Sequence, residues 1–172
     1  RRLVRTLLAE KRRLGGVVVV DMIGYRDAGD PVFQVSAGDG PEALALAAEA
    51  VALASAAAPG LSARLRTRFD PESYLYNTDA LIFSHAGFPT VLVNEHLNYD
   101  HNLERSHYHE TTDDVSRVDF SYAARVGRVA VEAAARAAGQ AGAPAEPSLP
   151  TARLAVPLVR QATSYSCGSA AV

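Results

Sequence analysis

A single cysteine, Cys167, and no tryptophan mark this 172-residue sequence. One thiol excludes an internal disulfide and any zinc site built on several cysteines. Neither charge dominates: the formal net charge is -2, which argues against nucleic acid as a partner. Long apolar runs are missing too, and none approaches the roughly 20 residues a membrane span needs. The nearest candidate, residues 43 to 58, is alanine-rich and interrupted by Glu49, so it reads as a packed helix. What is present is a chain with 48% apolar residues, enough to bury one ordinary globular core. Oligomeric state is not legible at this level.

The opening RRLVRTLLAEKRRLGG is basic, a composition shared by membrane-surface helices and targeting segments. A solvated helix face fits it better, because the run leads straight into a strand. Gly15 and Gly16 break that helix, and VVVVD follows: four β-branched residues in a row predict a strand buried on both faces, ending in a carboxylate at Asp21. Val32 to Val35 is a second extended piece, and Pro41 opens a helix running to Pro59-Gly60. Residues 64 to 69 alternate as a strand does. TDALIFSHAG, residues 78 to 87, reads as a short helix with Thr78 or Asp79 near its cap, and Pro89 leads the apolar strand TVLV. Polar residues dominate from Asn94 to Asp114, a loop of the length that is usually functional or disordered. A helix follows from about Asp119 to Ala138, with SRVD as a capping box around Ser116. Strands alternating with helices predict an α/β layered sheet. The Ala/Pro/Gly stretch 139 to 153 reads as a linker.

Asp21 is the first candidate for chemistry, because a carboxylate at the carboxyl end of a buried strand faces the crevice where open α/β sheets bind ligands. On position alone, a strand-end aspartate capping the turn MIGY fits equally well. The long loop holds His96, His101, His107 and His109 among several acids. Imidazole and carboxylate are what zinc takes when thiolates are absent, yet the spacing matches no compact metal motif, and a solvated polar loop would look much the same. His85, beside Ile82, Phe83 and Phe88, reads as a core or surface histidine.

VVVVDMIGY, then NTDALIFSHAGFPTVLVNEH, then HYHETTDD and an amphipathic helix resemble, in order, the second half of zinc-dependent aminopeptidases of the bacterial leucyl aminopeptidase and glutaminyl cyclase type. The resemblance spans about residues 15 to 138. It implies a three-layer α/β sandwich with a mostly parallel mixed sheet, of which residues 1–138 form only the C-terminal portion. It also implies two zinc ions in the complete domain, with Asp21 holding one and His109 the other. Asp113 matches the motif's aspartate and would brace the loop; Asp79 matches a second aspartate, while the family's histidine beside it is Ala80 here. Tyr74 or Tyr76 would line the pocket for a peptide or aminoacyl substrate. Secretion is common in similar enzymes, so the resemblance leans towards an extracytoplasmic protein.

In that family a histidine, a bridging aspartate, a base glutamate and a ligand glutamate precede the aspartate matched by Asp21. The twenty residues before Asp21 hold no histidine and one acid, Glu10. The expectation is therefore a fragment carrying half of a metal site, inactive alone, from an exopeptidase that hydrolyses N-terminal peptide bonds. A glutaminyl-cyclase-like acyltransferase and a noncatalytic domain of the same fold are the alternatives. The tail, residues 154–172, is similar to the start of a bacteriocin-processing, double-glycine cysteine peptidase domain: Gln161 stands six residues before Cys167, as oxyanion glutamine and nucleophile do there. It is expected to be the truncated beginning of such a domain.

Overall fold

The computed structural model describes residues 1–26, 30–96 and 110–139. In chain order they form α1 (Arg2–Ala9), β1 (Val17–Val20), β2 (Val32–Ala37), α2 (Pro41–Ala57), β3 (Ser62–Arg66), a 3-10 turn (Leu75–Asn77), α3 (Ala80–His85), β4 (Thr90–Glu95), a second 3-10 turn (Val115–Arg117) and α4 (Phe120–Ala137). The four strands make one mixed sheet in the order β1-β4-β2-β3. β1 runs parallel to β4 and β2 parallel to β3, while β2 and β4 are antiparallel.

Alternation along the strands builds a layer on each face of the sheet. Phe33, Val35 and Ala37 of β2, Val91 and Val93 of β4, and Val18 of β1 face one side, where α2 and α4 pack. Leu92 and Val19 face the other, against Leu75 and Ala80 of the first 3-10 turn and α3. Period-two alternation with both faces covered is the geometry of a three-layer α/β sandwich. All six residues of β4 are buried, and each large apolar side chain among them contributes about 1.5–3 kcal/mol.

The helices follow from their residues. Gly40, at φ 91, makes the turn into α2, and Pro41 starts that helix with its φ already set. Its buried face joins Leu46 and Leu53 to Ala43, Ala47, Ala50, Ala54 and Ala57, and the alanines are small enough to let α4 approach closely. The helix α4 buries Tyr122, Val126, Val129, Ala130 and Ala133, the i, i+4, i+7 spacing of a one-sided helix.

Four expectations are corrected. VVVV is not buried on both faces: β1 is an edge strand of the described sheet, half-buried, with Val20 44% exposed. A β-branched run reports strand preference, whereas burial depends on what covers it. The last strand does not stop at TVLV, because Asn94 and Glu95 continue it and are buried. Ser116 does not cap the long helix; it lies in the second 3-10 turn, and Asp119 is the cap, its carboxylate accepting from the Tyr122 N–H at 2.9 Å. The third strand covers Ser62–Arg66, not 64 to 69. Residues 140–153 of the linker and the whole of 154–172 lie outside the described residues. No helix among the described residues is long and apolar enough to cross a membrane.

Candidate functional site

Because β1 and β4 are parallel, Asp21 and Glu95 emerge at the same end of the sheet. The two strands stay in register to the last pair, Val20 with Val93, and the Asp21 N–H then donates to the Val93 carbonyl at 3.3 Å. Asp21 thus stands where the sequence places it, at the carboxyl end of the strand. It opens on a cleft of about 590 Å³ whose walls include Val19, Tyr76, Thr78 and Asp79.

The opposite wall of this cleft includes residues 76–79, and the segment 70–79 that carries them is shaped by local polar bonds. Asp70 accepts from the Glu72 N–H at 2.9 Å, and the nearly buried Arg66 pairs with Asp70 at 3.3 Å and Glu72 at 2.5 Å. Leu75 is then pressed fully into the second core, carrying Tyr76 to the cleft. The Tyr76 hydroxyl donates to Asp39 at 2.9 Å, and Asp39 also takes the Arg68 guanidinium at 2.9 Å. Partial burial, and then the hydrogen bond to Asp39, hold the Tyr76 phenol above its ordinary pKa. It remains a neutral donor at physiological pH. Thr78 Oγ1 bonds the Leu75 carbonyl at 2.9 Å and closes the turn into α3.

Of the two tyrosines expected near the substrate, both pack against the second core around Leu75, and Tyr76 also lines the cleft while Tyr74 does not. Asp79 is exposed at the cleft as the first residue before α3. Asp113 is also exposed, its N–H donating to the Glu110 carbonyl at 3.1 Å. The His85 side chain is exposed, its ring 6.0 Å from that of Tyr76. His109, Gln161 and Cys167 lie outside the described residues.

Electrostatics make Asp21 a cation-seeking group. Partial burial lifts its carboxyl above the ordinary pKa, a hydrogen bond from the Met22 N–H opposes that, and the negative charge of Asp79 lifts it again. A divalent ion beside Asp21 would reverse the last effect and offset the first. Carboxylate oxygen is also a donor that zinc accepts. Asp21 therefore fits as one ligand. Among the described residues no three His, Cys, Asp or Glu side chains cluster closely enough to hold a metal by themselves.

Of three further residues that matter at this end of the sheet, Arg26 was not singled out from the sequence, and Glu95 and His96 entered it only as members of the polar loop. Glu95 accepts from the Tyr25 N–H at 2.9 Å, and Arg26 donates to Asp119 at 2.6 Å. His96, which the sequence grouped with the candidate ligands, instead meets Asp30 at 2.7 Å. The signal for Glu95 was present in TVLVNE, an apolar strand ending in a carboxylate just as VVVVD does.

Comparison with known proteins bears on the fold and the family. Among solved structures, the LapA aminopeptidase of Legionella pneumophila superposes with a TM-score of 0.59 at 21% identity, over 78% of this chain and 33% of that one. The present chain thus spans about a third of that enzyme's length, and the likeness is one of fold. No curated protein matches. The profile of Peptidase family M28 matches residues 3–134, well over half of the sequence and the whole of the described sheet, and the chain belongs to that family.

Proposed function

We propose that residues 1–138 contribute one wall of the active site of a zinc-dependent exopeptidase acting on N-terminal peptide bonds. The observation that carries this is the position of Asp21: a strand-end carboxylate with a raised pKa, facing a cleft whose other wall presents Tyr76, Thr78 and Asp79. Membership of Peptidase family M28 supports the reaction class.

Two residues of this chain would hold zinc, Asp21 and His109, one ion each. When bound, such ions supply Lewis acidity, polarising a peptide carbonyl and lowering the pKa of water. Two ligands are fewer than the three or more a catalytic zinc takes from protein, and in this reading the remaining ligands and the general base are supplied by residues outside this chain. The chain's own contribution is to bind and to orient. Asp21 is fixed by the end of β1, and the Tyr76 ring offers an apolar wall whose hydroxyl Asp39 holds in place. In this account residues 139–153 link this unit to the start of a second, cysteine-peptidase-like one, with Gln161 and Cys167 as its first catalytic groups.

The assay is release of a free amino acid from aminoacyl substrates. The isolated 172-residue chain is expected to show none, and zinc-dependent release by it would contradict the shared-site reading. On a longer polypeptide that contains this chain, release of an amino acid supports hydrolysis, whereas loss of ammonia from N-terminal glutamine would make it a cyclotransferase.

A further inference from the structure

The turn that presents Asp21 is an unusual piece of backbone. Met22, the next residue, holds φ at 49°, a left-handed conformation that residues with a Cβ rarely adopt. Such a conformation persists only where the surroundings over-determine it.

Here the surroundings are the last residue of β4 and the first residues before α4. The Glu95 N–H donates to the Met22 carbonyl at 2.9 Å. The Glu95 carboxylate then accepts from the Tyr25 N–H at 2.9 Å. One residue thus grips the turn on both sides of its middle. Between the two grips, Ile23 packs into the main core, and the Asp119 N–H donates to the Gly24 carbonyl at 2.8 Å. Arg26 adds a second tie to Asp119 through its side chain.

Glu95 is 2% exposed in a strand whose neighbours Val91, Leu92 and Val93 are apolar. Sheet packing alone favours an apolar or β-branched residue at such a position, because a buried carboxylate has to be hydrogen-bonded to be tolerated. Its bond to Tyr25 supplies a reason that packing does not: the backbone of the Asp21 turn needs an acceptor there.

We propose that Glu95 is a positioning residue for Asp21, fixing the 21–26 turn so that the Asp21 carboxylate is held towards the cleft. This rests on the reading of Asp21 as a zinc ligand. Residues that orient a metal ligand from behind typically change metal affinity by about 10–100-fold when removed.

The test uses the full 172-residue chain with Glu95→Ala, Glu95→Gln and Asp21→Ala. Two quantities are read on each: amide hydrogen exchange at Tyr25, and the zinc dissociation constant by titration calorimetry. The expected result is that Glu95→Ala loses protection at Tyr25 and binds zinc about 10–100-fold more weakly, while Glu95→Gln, which keeps an acceptor oxygen, stays near the parent in both. Glu95→Asp, shorter by one methylene, gives the same reading should the alanine variant not fold. Lost protection at Tyr25 with an unchanged zinc constant would overturn the proposal and leave Glu95 a purely structural group. An unchanged zinc constant in Asp21→Ala would instead overturn the ligand reading on which the proposal stands, whatever Glu95 does.

Discussion

The hydroxyl of Tyr122 donates to the carbonyl of Val32 at 2.8 Å, tying the first turn of α4 to the start of β2. Tyr122 is fully buried, and burial, reinforced by the negative charge of Glu95, keeps its phenol protonated far above neutral pH. Replacing it with phenylalanine keeps the ring and removes the donor, leaving a half-buried carbonyl with one partner fewer. Tyr122→Phe is expected to cost about 0.5–1.5 kcal/mol, read as a lower denaturation midpoint in urea with an unchanged slope.

Gly38 is a second place where a small change should be felt, here through space rather than polarity. A Cβ at that position would meet Ser84 Oγ at 2.7 Å and the Thr90 carbonyl at 3.0 Å. The carbonyl is backbone of a buried strand and cannot move aside. Gly38→Ala is expected to destabilise the fold by about 1–3 kcal/mol. It also disturbs Asp39, whose N–H bonds Ser84 at 2.9 Å and whose carboxylate holds Tyr76. Calorimetric melting checks the first effect, and tyrosine fluorescence checks the second.

Asp119 combines a helix cap with a charge pair, and two variants separate them. Asparagine caps as well as aspartate, so Asp119→Asn should lose only the tie to Arg26, whereas Asp119→Ala should lose the cap as well and melt lower still. The hydrogen bond from the Tyr122 N–H, and then the Arg26 guanidinium, hold the Asp119 carboxyl below its ordinary pKa. A carboxyl lowered on folding contributes stability that is fully present above its unfolded pKa and disappears as pH falls through the folded one. The stability gap between the parent and Asp119→Asn should therefore be constant near neutral pH and close below about pH 4. A gap that widened in acid would contradict this.

The positions of Asp21 and Asp119 also show what the sequence makes legible. VVVVD announces Asp21 because a β-branched run and the turn residues after it leave one place for the carboxylate, at a strand end. The cap's position is not fixed by the local sequence: SRVD points to Ser116, although Asp119 lies before the same apolar periodicity. It is decided by a contact 95 residues away in the chain, the Asp119 N–H on the Gly24 carbonyl at 2.8 Å. Glu95 was hidden for the same reason: a polar residue after an apolar run reads as the start of a loop, and the backbone N–H that its carboxylate accepts is that of Tyr25, 70 residues earlier. Tyr74 and Tyr76 are two residues apart, chemically alike and both packed against the second core, so which of them also lines the cleft waits on the 3-10 turn that follows Tyr74. The layered α/β order was legible from alternation of strands and helices and the three layers from the family resemblance, whereas the edge position of β1 was not, because edges are set by partners rather than by composition.

Asp21 itself carries a trade between stability and binding. Its carboxyl is lifted by partial burial and by Asp79, so ionised Asp21 is a mild cost to the metal-free fold. Asp21→Asn is expected to raise the stability of the zinc-free chain at neutral pH, by a few tenths of a kcal/mol once solvent screening is allowed for. Zinc should then stabilise the parent and not the variant. Thermal melts with and without added zinc give both readings.

Zinc stoichiometry is the most direct measurement on the central claim. The purified 172-residue chain would be dialysed against limiting zinc and analysed for metal, with Asp21→Ala and His109→Ala beside it. A site shared with residues outside this chain predicts almost no tightly held zinc in the parent, with the weak binding that remains reduced in both variants. Close to two zinc ions per parent chain would mean that its own histidines and acids complete the centre, contradicting the shared-site account.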